Sequence, residues 1–420
     1  MAVLIEFRVK NFRSFRDEAV LNLVASHDKT NEEANVEATG NKSVPRLLRA
    51  AAIYGANAGG KSNLVRAIQL LRGIVHDSAT LQANQTINVQ PFRLDPVMAE
   101  QPIEYEITFL LENVRYQFGF TLVPSRILTE WLIVYKSTQP ATWYERKFND
   151  HSRKYDYKFS PQLLGAKAVW SEATRENALF LSTAVQLNSE QLLPVFDFLT
   201  KGLVIFQNGS GLVAEYTIAH IARNEAGSVR ELLSAADIGI ADIKLKKQQS
   251  FAGGMKLDLA TGKLEAVPME PREITVPTFE HRARSGSAEF DFQDESEGTQ
   301  KLFALAGPLF EILSRGQVLV VDEIDRSLHA LLVRQLIGMF QNPDLNKNGA
   351  QLIFSTHDTS LLDGELLRRD QIWFAEKDQD QASRLSPLSD FSPRKGEALE
   401  RGYLAGRYGG VPILRDYRFK

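Results

Sequence analysis

At 420 residues the chain has room for two or three structural units, and 44% apolar with 24% charged residues excludes wholesale disorder. Forty-nine Lys and Arg against 52 Asp and Glu leave a formal charge of −3, which excludes a uniformly basic nucleic-acid coat or membrane-surface binder. Cysteine is absent, which excludes disulfides, thiolate zinc sites, iron–sulfur clusters and cysteine nucleophiles and suits a reducing cytoplasm.

Residues 1–15 carry Glu6, Arg8, Lys10 and Arg13 among apolar neighbours, so they alternate like a strand and do not form a signal peptide. No stretch approaches the ~20 apolar residues of a membrane helix, and a soluble chain without a membrane partner is expected. Residues 3–9 predict a strand, with a second reached through Leu23, and the polar stretch 26–46 reads as an exposed loop. Residues 47–54 form an apolar strand entering a glycine turn. The stretch 63–75 then carries Leu64, Ile68, Leu71 and Ile74 at helical spacing. Antiparallel strands are expected at 103–110 and 116–123 around Glu112-Asn113, and another at 131–135. Residues 160–240 turn mostly helical apart from the apolar run 203–206, and 250–290 return to short strands punctuated by Gly and Pro. A helix over 298–313, a buried strand at 318–321, a helix to Phe340 with His329 as a structural residue inside it, and a buried strand at 351–354 follow. The order predicts an α/β nucleotide-binding core interrupted by a mixed insertion.

Gly55-Ala56-Asn57-Ala58-Gly59-Gly60-Lys61-Ser62 matches G-x-x-x-x-G-K-[ST], between an apolar strand and an amphipathic helix. Glycines let backbone N–H groups converge on phosphate oxygens at a helix N-terminus, whose dipole favours anions. Asn57 and Gly60 lie in that cradle, Lys61 would reach the outer phosphates, and the Ser62 hydroxyl would ligate Mg²⁺. The expected ligands are therefore ATP and Mg²⁺.

The buried strand at 318–321 runs into Asp322-Glu323. An acidic pair after an apolar run is commonly a solvated strand end; beside a phosphate loop it has a role. Asp322 would hold Mg²⁺ through water, and Glu323 would polarise the attacking water. The next strand ends Ser355-Thr356-His357, where ligands of parallel sheets gather. From there His357 could donate a hydrogen bond to the γ-phosphate or to the attacking water.

The order of phosphate loop, Ser296-Glu297-Gly298-Thr299-Gln300, Val320-Val321-Asp322-Glu323-Ile324-Asp325 and Ser355-Thr356-His357 resembles the ABC ATPase superfamily. The opening Lys10-Asn11-Phe12-Arg13-Ser14-Phe15 is similar to its RecF, SMC and OLD branch. Pro91-Phe92-Arg93-Leu94-Asp95, Phe180-Leu181-Ser182 and the tail from Gly402-Tyr403-Leu404 to Tyr408-Gly409-Gly410 resemble the RloA, AbiL and PARIS AriA group of AAA-type ATPases.

That resemblance implies an ABC-type P-loop NTPase core with an antiparallel β lobe and a mixed, largely helical insertion. Residues 1–96 would form the N-terminal part of the core and 97–289 the lobe and insertion. Residues 290–420 would form the C-terminal part, ending in a tail (391–420) of seven basic and three acidic residues. It also implies that Ser296 and Gly298 contact the γ-phosphate bound to a second copy, that Asp325 senses that copy, and that Gln186 links Mg²⁺ to the inserted lobe, with Gln90 as a rival. Glu297 and Thr299 depart from the transporter signature Leu-Ser-Gly-Gly-Gln, and Ser296 equally suits an ordinary helix N-cap.

Three functions follow as expectations. The first is a homodimeric or larger ATPase that serves as sensor and regulator in anti-phage defence. It would control a separately encoded Toprim or RloB-like nuclease effector, with DNA or a phage protein as trigger. The 63 residues after His357 (420 − 357) are expected to be too few for a Toprim domain. The second is a RecF- or SMC-like repair ATPase that clamps DNA; the third, disfavoured by the altered signature, is a transporter's nucleotide-binding subunit.

Overall fold

The computed structural model describes residues 1–136, 139–207, 213–236, 239–257, 264–393 and 397–411. These fall into two compact units: residues 1–211, 312–326 and 330–420, and residues 212–311 with 327–329. The first unit joins stretches far apart in sequence because Leu203–Phe206 pairs with Val318–Val321, and Ala50–Tyr54 with Gln351–Ser355 and Ile372–Lys377.

Two sheets build the first unit. One has seven antiparallel strands in the order Lys154–Phe159, Ala141–Asn149, Arg126–Tyr135, Val114–Val123, Ile103–Leu111, Ala2–Lys10, Ala19–Asn22. The other has six, in the order Leu203–Phe206, Val318–Val321, Gln351–Ser355, Ala50–Tyr54, Ile372–Lys377, Ser383–Pro387. Its first five strands are parallel and the last is antiparallel. The central strands Ala50–Tyr54, Val318–Val321 and Gln351–Ser355 are buried at every position, as expected of a parallel sheet covered on both faces. The helix Lys61–Asp77 places Leu64, Val65, Ile68 and Leu71 in the same continuous core as Phe7, Tyr105 and Phe118 of the antiparallel sheet.

Several elements differ from their sequence reading. The stretch 26–46 contains a short helix, Glu32–Asn35, and the strand Val36–Ala38 paired with Arg46–Leu48. Strands Ala141–Asn149 and Lys154–Phe159 had no clear signal, because their outward positions Glu145, Lys147, Lys154, Asp156 and Lys158 dilute the apolar alternation. The strand expected at 131–135 begins at Arg126, and His329 precedes the helix Ala330–Gln341 rather than sitting within it.

The second unit is mixed. Helices Ala214–His220 and Ala226–Ala235 accompany a three-stranded antiparallel sheet of Ile240–Leu257, Leu264–Ala283 and Gly286–Asp291, and the helix Glu297–Arg315 follows. Two strands here are long, where the Gly and Pro pattern predicted short segments. Pro308 lies inside the last helix and cannot donate to Ala304. Thr217 inserts at this turn: its hydroxyl lies 3.4 Å from the freed Ala304 O and 2.6 Å from Phe303 O, and accepts from Gly307 N at 2.9 Å. A Cβ at Gly307 would lie 2.6 Å from Thr217 Cα, so this close approach requires glycine.

Candidate functional site

The strand Ala50–Tyr54 delivers the chain into the turn 55–60, and the helix Lys61–Asp77 leaves it. Gly60 has φ 125°, and a Cβ there would meet the Ser383 hydroxyl at 2.5 Å, so only glycine lets the loop close against the neighbouring hairpin. Ala58 also takes a left-handed conformation, φ 63°, which costs an L-residue about 1–2 kcal/mol. Lys61 is buried, and its ammonium donates to Gly55 O at 2.6 Å and Ala56 O at 3.2 Å. Burial holds its pKa below the ordinary lysine value, while Asp322, Glu323 and Asp325 act in the opposite direction.

Two parallel strands away, Val318–Val321 ends at Asp322, which is 4% exposed. Its Oδ1 accepts from Ser62 Oγ at 3.1 Å and from Ser355 Oγ at 2.7 Å. Ser355 in turn accepts the Glu323 backbone N–H at 2.8 Å, and Glu323 has φ 54°. His357 follows the intervening strand; its backbone N–H donates to Asp325 Oδ2 at 3.3 Å. Partial burial first, and the Lys61 charge second, push the His357 imidazole below its ordinary pKa.

Asn57, Gly60, Lys61, Ser62, Glu323 and His357 line one cavity of about 330 Å³. Ser14, Asn63, Arg66 and Lys377 line it too and were not singled out from sequence. Ser14 was legible as part of the Lys-Asn-Phe-Arg-Ser-Phe run, and Lys377 as the end of a further apolar parallel strand. Ser355 opens the Ser-Thr-His run, but nothing in the sequence points to its bonds with Asp322 and Glu323.

Ser62 and Asp322 offer hard oxygen donors side by side, and Asp322 Oδ2 is buried without a hydrogen-bond partner. This donor set fits Mg²⁺, which prefers carboxylate and hydroxyl oxygens with retained waters.

Gln186 does not join this group. It is exposed at the end of the helix Phe180–Gln186, and Ser182 of that helix donates to Val75 O at 2.6 Å. Val75 lies fourteen residues beyond Lys61, about 21 Å along the phosphate-loop helix, so Gln186 is tied to its far end. Gln90 is better placed. Its carbonyl accepts the Arg13 N–H at 2.9 Å, next to Ser14 of the cavity wall.

In the second unit Ser296 caps the helix Glu297–Arg315, its Oγ accepting from Thr299 N at 3.1 Å. Glu297 accepts from Ser327 Oγ at 2.7 Å, and a Cβ on Gly298 would approach Ser327 O to 2.9 Å. The N-cap reading of Ser296 therefore holds.

Other recognisable runs have supporting roles. Asn11 donates to Met98 O and Gln101 O, each at 2.8 Å, and accepts from Phe92 N at 3.0 Å, tying the first run to the Pro91–Phe92 segment. Tyr403 stacks on Phe374 at 5.4 Å, meets Tyr54 edge-on at 5.9 Å and donates to Gly410 O at 3.0 Å. The tail thus backs the strand that feeds the phosphate loop. Of its basic residues, Arg394, Lys395, Arg415, Arg418 and Lys420 lie outside the described residues.

A phosphate loop at the carboxyl end of a central parallel strand, faced by an acidic strand end and a histidine, makes a P-loop nucleotide-binding site. The chain belongs to the family described as "AAA domain, putative AbiEii toxin, Type IV TA system", whose model matches residues 50–363. Solved structures similar to it include the SMC head domain from Thermotoga maritima, at 13% identity and a TM-score of 0.40, covering 91% of this chain and 98% of that one. No curated protein matches the sequence significantly. Among the described residues no helix is long and apolar enough to cross a membrane.

Proposed function

We propose that the chain hydrolyses ATP in the presence of Mg²⁺, at sites that two copies complete together. The observation that carries this reading is the single cavity lined by Lys61, Ser62, Glu323 and His357. Backbone N–H groups of the loop and Lys61 hold the outer phosphates. Ser62 and Asp322 would hold Mg²⁺, which neutralises phosphate charge. Glu323 accepts a hydrogen bond from the attacking water and orients it in line with the γ-phosphate, and His357 donates to the γ-phosphate. Gln90, rather than Gln186, would serve the metal, because its backbone is bonded to Arg13 beside Ser14 of the cavity wall.

Ser296 and Gly298 close the site of a second copy, offering a hydroxyl and the N-terminal N–H groups of a nineteen-residue helix to the γ-phosphate. Asp325 reports on that copy; its Oδ1 is buried without a partner, which suits a group that acts at an interface. In the cell the ATPase serves as sensor and regulator of an anti-phage defence pair resembling the RloA, AbiL and AriA group, controlling a Toprim or RloB-like nuclease encoded separately. A family description that names a toxin system supports this role.

Mixing two inactive variants tests the shared site. Lys61→Ala and Ser296→Arg are each expected to be inactive alone. A verified mixed dimer has one doubly defective and one intact site, so part of the ATPase activity should return. Full activity from a monomer would overturn the shared-site reading. Titrating duplex DNA against salt, with and without ATP, separates the defence reading from a DNA clamp.

A further inference from the structure

We propose that Lys377 is a nucleotide-binding residue that holds the α-phosphate end of the ATP bound in this cavity. The inference rests on the nucleotide reading above and extends it to a residue outside the recognised motifs.

Strand order sets the direction of the triphosphate. Asp322, Glu323 and His357 follow strands on one side of Ala50–Tyr54, and Ile372–Lys377 is its neighbour on the other. The groups that handle the γ-phosphate therefore occupy one flank of the loop. Adjacent strands lie only about 4.8 Å apart, so the α-phosphate and nucleoside extend toward the opposite flank, where Lys377 ends its strand.

Lys377 is anchored there by register. Its Cα partner across the hairpin is Ser383, whose hydroxyl donates to Gly59 O at 2.8 Å and whose backbone N–H donates to Ser14 O at 2.6 Å. The strand also approaches the loop directly: the Ala375 carbonyl occupies the space a Cβ on Gly59 would need, at 2.6 Å. Lys377 thus projects from a fixed base into the cavity that Lys61 lines.

Its charge is uncommitted. Among the described residues no carboxylate forms an ion pair with Lys377, and its ammonium makes one hydrogen bond, a long one of 3.5 Å to Gln381. The adjacent Asp378 is engaged by Arg384 at 3.2 Å, Arg16 at 3.5 Å and the backbone of Asp380 and Ala382. Glu376 accepts from Gly410 N at 3.1 Å. An exposed ammonium with three donors and no acceptor, beside a phosphate cradle, suits an anionic oxygen.

Equilibrium titration of the full chain with Mg·ATP and Mg·ADP tests the assignment, using Lys377→Met, Lys377→Arg and Lys61→Ala. Lys377→Met should weaken ATP and ADP by the same factor, about tenfold, the scale of one charge-assisted hydrogen bond. Lys377→Arg should recover most of that loss. Weakening of ATP alone would place Lys377 at the γ end and overturn the proposal, as would unchanged affinity for both nucleotides. Normal binding by Lys377→Met beside lost binding by Lys61→Ala sinks only the Lys377 assignment. Normal binding by both sinks the nucleotide site itself.

Discussion

Ser355 donates a 2.7 Å hydrogen bond to Asp322 on the neighbouring parallel strand. The same hydroxyl accepts the Glu323 N–H, so one fully buried side chain orients the proposed metal carboxylate and the backbone of the proposed catalytic glutamate. Ser355→Ala should therefore lower kcat about tenfold with little change in ATP affinity, and cost about 1–3 kcal/mol of stability for the unpaired groups. Steady-state turnover with a denaturant melt checks it; unchanged kcat would reduce Ser355 to packing.

Glu323→Gln keeps the shape of the side chain and removes its charge. ATP binding should persist while turnover falls by about 100-fold or more, trapping a nucleotide-bound dimer. Single-turnover hydrolysis and light scattering measure both effects. Turnover at the unmodified rate would reassign the base.

His357 titrates below the ordinary imidazole value in the free protein. The folded state then binds fewer protons than the unfolded one, so this residue contributes stability that is fully present above about pH 6.5 and is lost as pH falls from there through the lower folded-state value. A bound triphosphate acts in the opposite sense and favours the imidazolium. ATP binding near pH 6.5 should therefore take up protons, and His357→Gln should abolish the uptake. Calorimetry in two buffers of different ionisation enthalpy reads it, and equal uptake by the variant would clear His357 of the role.

Gln90→Ala should reduce ATPase activity about tenfold or more, whereas Gln186→Ala should leave it within twofold, because only Gln90 is held beside the cavity wall. The reverse result would restore Gln186.

Glu130 and Arg146 are fully buried in the lobe, 3.7 Å apart. Glu130 accepts from Phe180 N at 2.6 Å, Leu181 N at 2.9 Å and Tyr144 OH at 2.9 Å, and burial pushes its carboxyl above the ordinary range. Glu130→Ala removes the carboxylate facing the Arg146 charge and leaves the Phe180 and Leu181 N–H groups without their acceptor, and should cost about 3–5 kcal/mol in chemical denaturation. A loss below 1 kcal/mol would show that the lobe tolerates the isolated charge. The Phe180-Leu181-Ser182 run, read from sequence as a family marker, is where this network meets the phosphate-loop helix.

The sequence by itself determined the groups whose chemistry is local. Gly55 to Ser62 carry their own backbone geometry, and the apolar runs before Asp322 and His357 mark parallel strands whose ends must converge. Ser296 read correctly as a helix cap because capping spans only three residues. What only the tertiary structure decided were relations across long stretches of chain. The lobe strands Ala141–Asn149 and Lys154–Phe159 were hidden because their outward faces are charged. Gln186 stands out over Gln90 in the sequence because the apolar run beside it is conspicuous, whereas Ser182 ties that run to the far end of the phosphate-loop helix. Ser355 stands in the Ser-Thr-His run with no role that the run itself reveals, Lys377 carries no motif, and the importance of both comes from strand order. Side-chain periodicity reports which face of an element is buried, but not which strand lies beside it, and it is adjacency in the sheet that brings Ser355 to Asp322 and Lys377 to the phosphate loop.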